Sequence, residues 1–187
     1  MSTTDLAKYN NNWYPPTIGA PAWKRLLWYY TSLVFFESAW LPVSSFKRAL
    51  LKAFGAKIGK GVVIKPRVQI KYPWLLTVGH FSWIGEGVWI DNLTTVQIGA
   101  HACLSQGAYL LTGNHNYSKP AFDLLVAPII LEEGVWIGAK AIVCPGITCF
   151  SHSVLTAGSI ATRNLEAFTI YQGNPALAIK KRTISVL

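Results

Sequence analysis

Apolar residues recur every six positions along most of the chain after Gly55. Three groups of three such positions, separated by steps of twenty residues from one group to the next, are Ile58, Ile64, Ile70, Val78, Ile84, Ile90, Ile98, Leu104 and Leu110. The same spacing resumes later, at Leu131, Ile137, Val143, Cys149, Leu155 and Ala161. Small or apolar residues also lie two places before many of these positions, at Val62, Val68, Val88, Ala102, Ala108, Val135, Ala141 and Ile147.

A period of six is typical of a β-solenoid in which each hexapeptide supplies one short strand and one turn. Three hexapeptides make a triangular coil, so the pattern predicts a mainly β protein, a parallel β-helix of about five coils over residues 56–165. The two residues beyond three hexapeptides fit a corner near Pro73-Trp74 and Thr94-Thr95. Because glycine adopts positive φ at least cost, we expect the glycines that follow repeat positions to serve the turns: Gly59, Gly79, Gly85, Gly99 and Gly138.

One interruption of the repeat predicts a protruding loop. The step from Leu110 to Leu131 is twenty-one residues where six would continue the coil, so residues of about 112–128 leave the solenoid. Long loops on rigid scaffolds often carry functional residues. This loop contains His115 between Asn114 and Asn116. A single histidine is often a surface residue, but its place on the long loop makes it a candidate general base.

Residues 1–55 form a separate N-terminal helical and aromatic segment in this interpretation. The apolar run from Leu26 to Val43 is a poor membrane span because it contains Glu37, and a charge at mid-bilayer costs about 2.5 kcal/mol or more. A second helix is predicted to begin with Ser44-Ser45 as its N-cap and to end at Gly55. Its predicted apolar face contains Phe46, Ala49, Leu50, Ala53 and Phe54, and its basic face contains Lys47, Arg48 and Lys52. The two helices either lie in a membrane interface or pack on their own or a neighbouring subunit.

Composition excludes several classes of protein. An apolar fraction of 51% is too high for a disordered chain. The three cysteines, Cys103, Cys144 and Cys149, form no CxxC pair, which favours small core residues of a reducing compartment over a disulfide framework or a zinc knuckle. Residues 1–12 lack the basic-then-apolar order of a secretory signal. We therefore expect a cytoplasmic protein.

Four sequence features resemble the left-handed parallel β-helix acyltransferases: the hexapeptide repeat and the segments TGNHN, GVWIGAKAIVCPGI and QGNPA. The chain is similar to the galactoside and maltose acetyltransferase branch, and more so to the colanic acid biosynthesis acetyltransferases. The resemblance implies a left-handed coil and a homotrimer with active sites between subunits. It also implies transfer of an acetyl group from acetyl-CoA to a hydroxyl, without a metal.

The resemblance also assigns roles to individual residues. His115 matches the general base, and direct transfer then needs no acyl-enzyme. Acceptor-binding roles fall on Asp91, Asn92, Asn114 and Trp136, and on Glu86, which stands where galactoside acetyltransferases have an asparagine. Cofactor-binding roles fall on Trp136, Ala139, Ala157, Thr162, Arg163, Lys180 and Lys181, with Arg182 as a further candidate for a phosphate contact.

The net charge of +9, from 17 basic and 8 acidic residues, is local. Eight basic residues lie between Lys47 and Lys71, and three more lie at 180–182 in the C-terminal tail, residues 166–187. No nucleic-acid motif accompanies them. The first cluster suits a membrane surface or a pyrophosphate-linked acceptor, and the second suits the phosphates of CoA.

The resulting hypothesis is an O-acetyltransferase acting on a sugar of an exopolysaccharide or its lipid-linked precursor, cytoplasmic or peripheral at the membrane. A solenoid that binds a partner or supports structure without catalysis is an alternative. A zinc-dependent enzyme of the carbonic-anhydrase type would need three converging histidines. His80 and His101 are one coil plus one residue apart, and His152 lies further on, which disfavours that alternative.

Overall fold

A computed structural model describes residues 3–185, so positions 1–2 and 186–187 of the two predicted end segments lie outside the described residues. A short 3-10 helix, Leu6–Lys8, precedes α1 (Tyr14–Thr17), α2 (Ala22–Ser32) and α3 (Ser44–Ala53). Helix α2 continues directly into a π-helical turn, Leu33–Glu37. Within residues 3–185, none of the helices combines the length and apolar character needed to cross a bilayer.

Short strands then wind into stacked coils. The first three coils contain β1 (Lys57–Ile58), β2 (Val63–Ile64), β3 (Gln69–Ile70), β4 (Leu76–Val78), β5 (Trp83–Ile84), β6 (Trp89–Asp91), β7 (Val96–Ile98), β8 (Cys103–Leu104) and β9 (Tyr109–Leu111). The hairpin β10 (Gly113–His115) and β11 (Leu124–Val126) follows. The next two coils contain β12 (Ile129–Leu131), β13 (Trp136–Ile137), β14 (Ile142–Val143), β15 (Thr148–Cys149), β16 (Val154–Leu155) and β17 (Ile160–Ala161). The chain ends in β18 (Thr169–Gly173) and β19 (Ala176–Lys181).

Corresponding strands of successive coils pair in parallel and form three faces. The first face has the order β1-β4-β7-β12-β15, the second β2-β5-β8-β13-β16-β18, and the third β3-β6-β9-β14-β17. The antiparallel strand β19 closes the second face. We call the turns after the first, second and third faces the first, second and third corners. The predicted parallel β-helix is confirmed, and β18 begins a sixth turn beyond the five predicted coils.

The core is the line of side chains that point into the coils. All fifteen repeat positions from Ile58 to Ala161 are buried, as are the eight positions two places before a repeat position. The register explains the period, because Ile84 lies between Ile64 and Leu104 of the adjacent coils. Backbone hydrogen bonds hold this register, as from the Trp83 N–H to the Ala102 carbonyl oxygen at 2.8 Å. Each coil is therefore both a core layer and a template for the next coil.

The glycines that follow repeat positions do not serve as positive-φ turns, and that prediction is wrong. A Cβ on Gly59 would lie 2.7 Å from the backbone nitrogen of His80, and one on Gly99 would lie 2.6 Å from that of Glu133. Glycine is needed there because consecutive coils approach too closely for a side chain. Positive φ occurs two residues further on, at 69° in Gly61 and 68° in Gly87.

Helix α3 is rotated relative to its predicted orientation, although Leu50 and Phe54 of the predicted apolar face do pack against the core. The side chain of Lys47 is fully buried, and its Nζ donates to the Lys65 carbonyl oxygen at 3.0 Å. Arg48 donates to the Val62 carbonyl oxygen at 2.7 Å, while Phe46 is 41% exposed. Ser44 is not an N-cap, since its hydroxyl bonds the backbone of Ile64. Lysine and arginine therefore anchor α3 to the first coil, and Lys47 and Arg48 are not free to meet a membrane.

The other N-terminal elements extend the core over the same coil. Trp28, Phe36 and Leu51 are buried and join the solenoid core. The Trp28 indole N–H donates to the Ile70 carbonyl oxygen at 2.8 Å. The N-terminal segment thus covers the first coil with one face of its helices.

We expect Gly99→Ala to lower the free energy of unfolding by about 1–3 kcal/mol, because its methyl group must separate two coils. A matched control is Gly158→Asn, at a position with φ of 68° and open space around it, where asparagine tolerates the backbone at small cost. Urea denaturation at one fixed protein concentration compares the two. Equal destabilisation by both substitutions would contradict the close-approach explanation.

Candidate active site

The predicted loop is a β-hairpin that extends from the third corner of the third coil. Strands β10 and β11 pair antiparallel, with His115 opposite Leu124. The Ala127 N–H donates to the Thr112 carbonyl oxygen at 3.0 Å and closes the base of the hairpin. His115 is therefore held by a two-stranded element that is anchored at both ends in the solenoid.

Local contacts fix the imidazole of His115. Its Nδ1 lies 2.9 Å from the Phe122 carbonyl oxygen, and its ring stacks on the Phe122 ring with centroids 4.5 Å apart. A carbonyl oxygen only accepts, so in the neutral ring Nδ1 carries the proton and Nε2 is the basic nitrogen. A general base that accepts a proton at Nε2 needs this tautomer.

His115 lines a cavity of about 440 Å³, which we call the His115 cavity. Asp91 and Lys71 also line it, and their carboxylate and ammonium groups form an ion pair at 3.0 Å. The Asp91 side chain is mostly buried at the end of β6. The Tyr109 hydroxyl donates to its other oxygen at 3.5 Å. The structure thus places His115 and Asp91 on the walls of one cavity.

Two tyrosines near Asp91 are held in the neutral form. Burial, with Asp91 as a smaller cause, raises the pKa of Tyr109 to about 12. Burial also raises the pKa of Tyr14, with Tyr72 as the next cause, and the Tyr14 hydroxyl donates to the Leu93 carbonyl oxygen at 2.9 Å. These hydroxyls are hydrogen-bond donors across the neutral pH range, and neither can act as a base there.

Glu86 and Trp136 do not line the His115 cavity. Glu86 is at the second corner and pairs with Arg67 at 3.3 Å. It lines a separate groove of about 330 Å³, the second-corner groove, and Ser105 in the same groove accepts from the Trp136 indole at 2.9 Å. Ala139 and Ala157 occupy the second corner of the fourth and fifth coils. Within one described chain, these four residues do not share a cavity with His115.

Of the other predicted site residues, some are exposed and one is buried with its polar atoms bonded to the backbone. Asn92 is fully buried, and its amide bonds both the N–H and the carbonyl oxygen of Tyr72, at 3.0 and 2.6 Å. Both ends of its amide are used by the fold, so the predicted acceptor-binding role of Asn92 is wrong. Asn114 is exposed on the hairpin, where its carbonyl oxygen accepts from the His115 N–H. Thr162 and Arg163 are exposed at the third corner of the fifth coil.

The three basic residues of the C-terminal tail differ in how strongly hydrogen bonds hold their side chains. Arg182 donates to the carbonyl oxygens of Gly134 and His152, at 3.0 and 3.1 Å. Lys181 contacts Glu166 at 3.4 Å and the Thr169 hydroxyl at 2.8 Å. Lys180 is exposed on β19. Arg182 is therefore part of the fold rather than a free cation, whereas Lys180 and Lys181 are both exposed.

The cysteines have the character of packed residues. Cys149 is buried, Cys103 and Cys144 are half-buried, and burial raises the pKa of all three thiols. A thiol with a raised pKa is a poor nucleophile. Among residues 3–185, no three His, Cys, Asp or Glu side chains are placed to hold a metal ion.

Sequence reasoning placed Lys71 only in a general basic cluster and missed its position beside Asp91. The signal was available, since Lys71 precedes Asp91 by twenty residues, the step between equivalent positions of these two coils. The same step places Trp89 against Tyr109, whose rings stack with centroids 4.6 Å apart. Phe122 carried no such signal, because it lies on the hairpin outside the repeat.

Known structures with this architecture define the class. A hexapeptide-repeat acetyltransferase of Vibrio cholerae, crystallised with acetyl-CoA, superposes with a TM-score of 0.78 at 21% identity, over 89% of this chain and 92% of that chain. A galactoside acetyltransferase in complex with coenzyme A superposes with a TM-score of 0.76 at 25% identity, over 86% and 81% of the two chains. The fold is thus the left-handed β-helix of the hexapeptide-repeat acetyltransferases.

Sequence comparison shows the family. No family model matches the chain. WcaF of Escherichia coli strain K12, named as a colanic acid biosynthesis acetyltransferase, is 39% identical over 166 residues, 88% of this chain and 90% of that protein. The galactoside O-acetyltransferase of the same strain is 26% identical over 138 residues, 72% and 68% of the two chains. The chain therefore belongs to the hexapeptide-repeat acetyltransferase family and is an acyltransferase.

Proposed function

We propose that the protein transfers the acetyl group of acetyl-CoA to a hydroxyl of a sugar in an exopolysaccharide or its lipid-linked precursor. The observation that carries this proposal is the His115 imidazole, whose Nδ1 is hydrogen-bonded to a backbone carbonyl and whose ring lines a cavity beside Asp91. The names of WcaF and of the galactoside O-acetyltransferase support a glycan acceptor.

His115 acts as a general base in this mechanism. Its Nε2 takes the proton of the acceptor hydroxyl as that oxygen bonds to the thioester carbonyl carbon. A backbone N–H at a coil corner stabilises the negative charge that develops on the thioester oxygen. The carbon–sulfur bond then breaks, and the imidazolium returns the proton to the leaving thiolate. An ester and a free thiol result, and no acyl-enzyme is formed.

Asp91 and Asn114 are the proposed acceptor contacts on the His115 side. Asp91 is fixed by its ion pair with Lys71, so its carboxylate can accept from a sugar hydroxyl without moving. Asn114 is exposed beside the base. The proposed contribution of Glu86 comes from the second-corner groove of a neighbouring subunit.

Coenzyme A is proposed to lie between two subunits of a homotrimer. His115, Thr162 and Arg163 are at the third corner, whereas Trp136 and the small residues Ala139 and Ala157 are on the second face and at the second corner. Two copies related by rotation can bring these edges together. Small side chains allow the pantetheine arm to approach, and Arg163, Lys180 and Lys181 supply positive charge for the phosphates.

The outer surface of α2 is proposed to contact the membrane. Trp23, Leu26 and Tyr30 are 68%, 58% and 56% exposed there. Tryptophan and tyrosine favour the membrane interface, where their rings meet acyl chains and their polar atoms meet water. Such contact would bring the enzyme close to an acceptor that is carried on a lipid.

We expect His115→Asn to lower acetyl transfer about 100-fold or more, because proton transfer to a base contributes at least that factor. His101→Asn is the matched control, since His101 lies at the first corner with positive φ, which asparagine tolerates. Thiol release from acetyl-CoA is measured with deacetylated exopolysaccharide fragments of the source organism. Unchanged turnover in His115→Asn would refute the assignment of the base.

Two inactive variants should restore activity when they assemble together. His115→Asn removes the base, and Ala139→Trp is expected to block the coenzyme arm. If each site uses one edge from each of two subunits, one of the three sites in every trimer that contains both variants carries both intact edges. The variants are co-expressed with different tags, and doubly tagged trimers are assayed. No recovered activity, or a mass other than three subunits, would contradict the shared site.

A double variant, Trp23→Ser with Leu26→Ser, should reduce co-sedimentation with vesicles of phosphatidylcholine and phosphatidylglycerol. Leu177→Ser with Ile179→Ser is the control, because those side chains are 57% and 53% exposed on β19. Point variants are preferable to deletion of the N-terminal segment, which would remove the buried Trp28 and Phe36. Equal sedimentation of both variants, or loss of trimer mass in the first, would overturn membrane contact.

A further inference from the structure

A second cavity adjoins the His115 cavity, and no role has yet been given to it. It has a volume of about 350 Å³ and lies between α2 and the third face of the first two coils; we call it the α2 cavity. Lys71, Tyr72 and Asp91 line both cavities. The two cavities therefore share part of their walls and lie next to each other on the third face.

Aromatic rings form two walls of the α2 cavity. Tyr29 and Trp89 line it and are 58% and 43% exposed. The Trp89 ring stacks in parallel on Tyr109, with an interplanar angle of 8°, so its orientation is fixed by the adjacent coil. The C–H face of a sugar ring is apolar, and an exposed aromatic face of this kind is a surface on which it can pack.

Polar groups with unused hydrogen-bonding capacity line the same cavity. The Nε of Arg25 is buried and has no acceptor among the described residues. Arg25 itself lines the cavity, where its guanidinium group offers further N–H donors to a ligand oxygen. Glu37 and Gln69 also line the cavity and offer acceptors and donors for hydroxyl groups.

The charges of the cavity favour a neutral ligand. Two cations, Arg25 and Lys71, and two carboxylates, Glu37 and Asp91, line it, and Lys71 is already paired with Asp91. A phosphate site would instead carry an excess of positive charge. Aromatic faces with balanced, hydroxyl-binding polar groups match an uncharged glycosyl unit.

We propose that the α2 cavity binds a second sugar residue of the acceptor, so that the enzyme prefers an oligosaccharide or longer glycan over a monosaccharide. This inference rests on the proposed function, in which the sugar that receives the acetyl group occupies the His115 cavity. Helix α2 is then a wall of the acceptor site as well as a cover for the first coil.

The experiment compares two acceptor pools made from the exopolysaccharide of the source organism. The polymer is deacetylated with mild alkali, partly hydrolysed with acid, and separated into a monosaccharide fraction and a neutral fraction of two to four sugars. Thiol release gives kcat/KM for each fraction with the wild-type protein, Tyr29→Ala, Arg25→Gln and Trp23→Ala. Trp23 is on the same helix but does not line the α2 cavity, so its variant is the matched control.

We expect the wild-type protein to prefer the oligosaccharide fraction. Tyr29→Ala and Arg25→Gln should each lower that preference roughly tenfold, the effect of one lost packing or hydrogen-bond contact. Trp23→Ala should leave the preference unchanged. Because Tyr29 is exposed at the cavity rim, its loss does not threaten folding.

Other outcomes separate the two proposals. Equal kcat/KM for both fractions, or a preference that Tyr29→Ala and Arg25→Gln leave intact, would overturn the second sugar site and leave the acetyltransferase proposal standing. No thiol release above hydrolysis with either fraction would overturn both. Competitive inhibition by inorganic pyrophosphate that Arg25→Gln abolishes would assign the cavity to a phosphate and contradict a neutral sugar.

Discussion

The close stacking of one coil on the next is the constraint on which the rest of the molecule depends. Parallel backbone hydrogen bonds such as that between Gly85 and Leu104, 2.8 Å long, fix the separation of the coils. That separation excludes a side chain at Gly59 and Gly99 and aligns the buried residues in rows. A scaffold held this tightly gives each corner a defined position, and most of the proposed site residues lie at the corners or next to them.

The same constraint explains which parts of the structure were readable from the sequence. A residue such as Ile84 is buried because of its place in the repeat, so periodicity alone predicted it. The hairpin could be located as the gap in the repeat, and His115 with it. Asp91 followed from a resemblance, but its partner Lys71 was accessible through the twenty-residue step between coils.

Contacts between elements outside the repeat could not be predicted from periodicity. Lys47 is buried because carbonyl oxygens of the first coil lie beneath α3, and helical periodicity carries no information on what lies beneath a helix. Asn92 was expected at the acceptor because of its place next to Asp91, yet the backbone of Tyr72 uses both ends of its amide. The α2 cavity likewise depends on how a helix packs against a coil some forty residues later in the chain.

The π-helical turn after α2 links helix register to the shape of a cavity. The Ser32 hydroxyl donates to Glu37, five residues later, at 3.1 Å, a pair that an α-helix would rotate about 140° apart. The wider π-helical turn keeps both side chains on the cavity wall. The one extra residue in this turn changes the direction in which the following side chains point. Insertion or deletion of one residue at this turn is therefore a route by which relatives of this protein could acquire a different cavity wall without altering any coil of the solenoid.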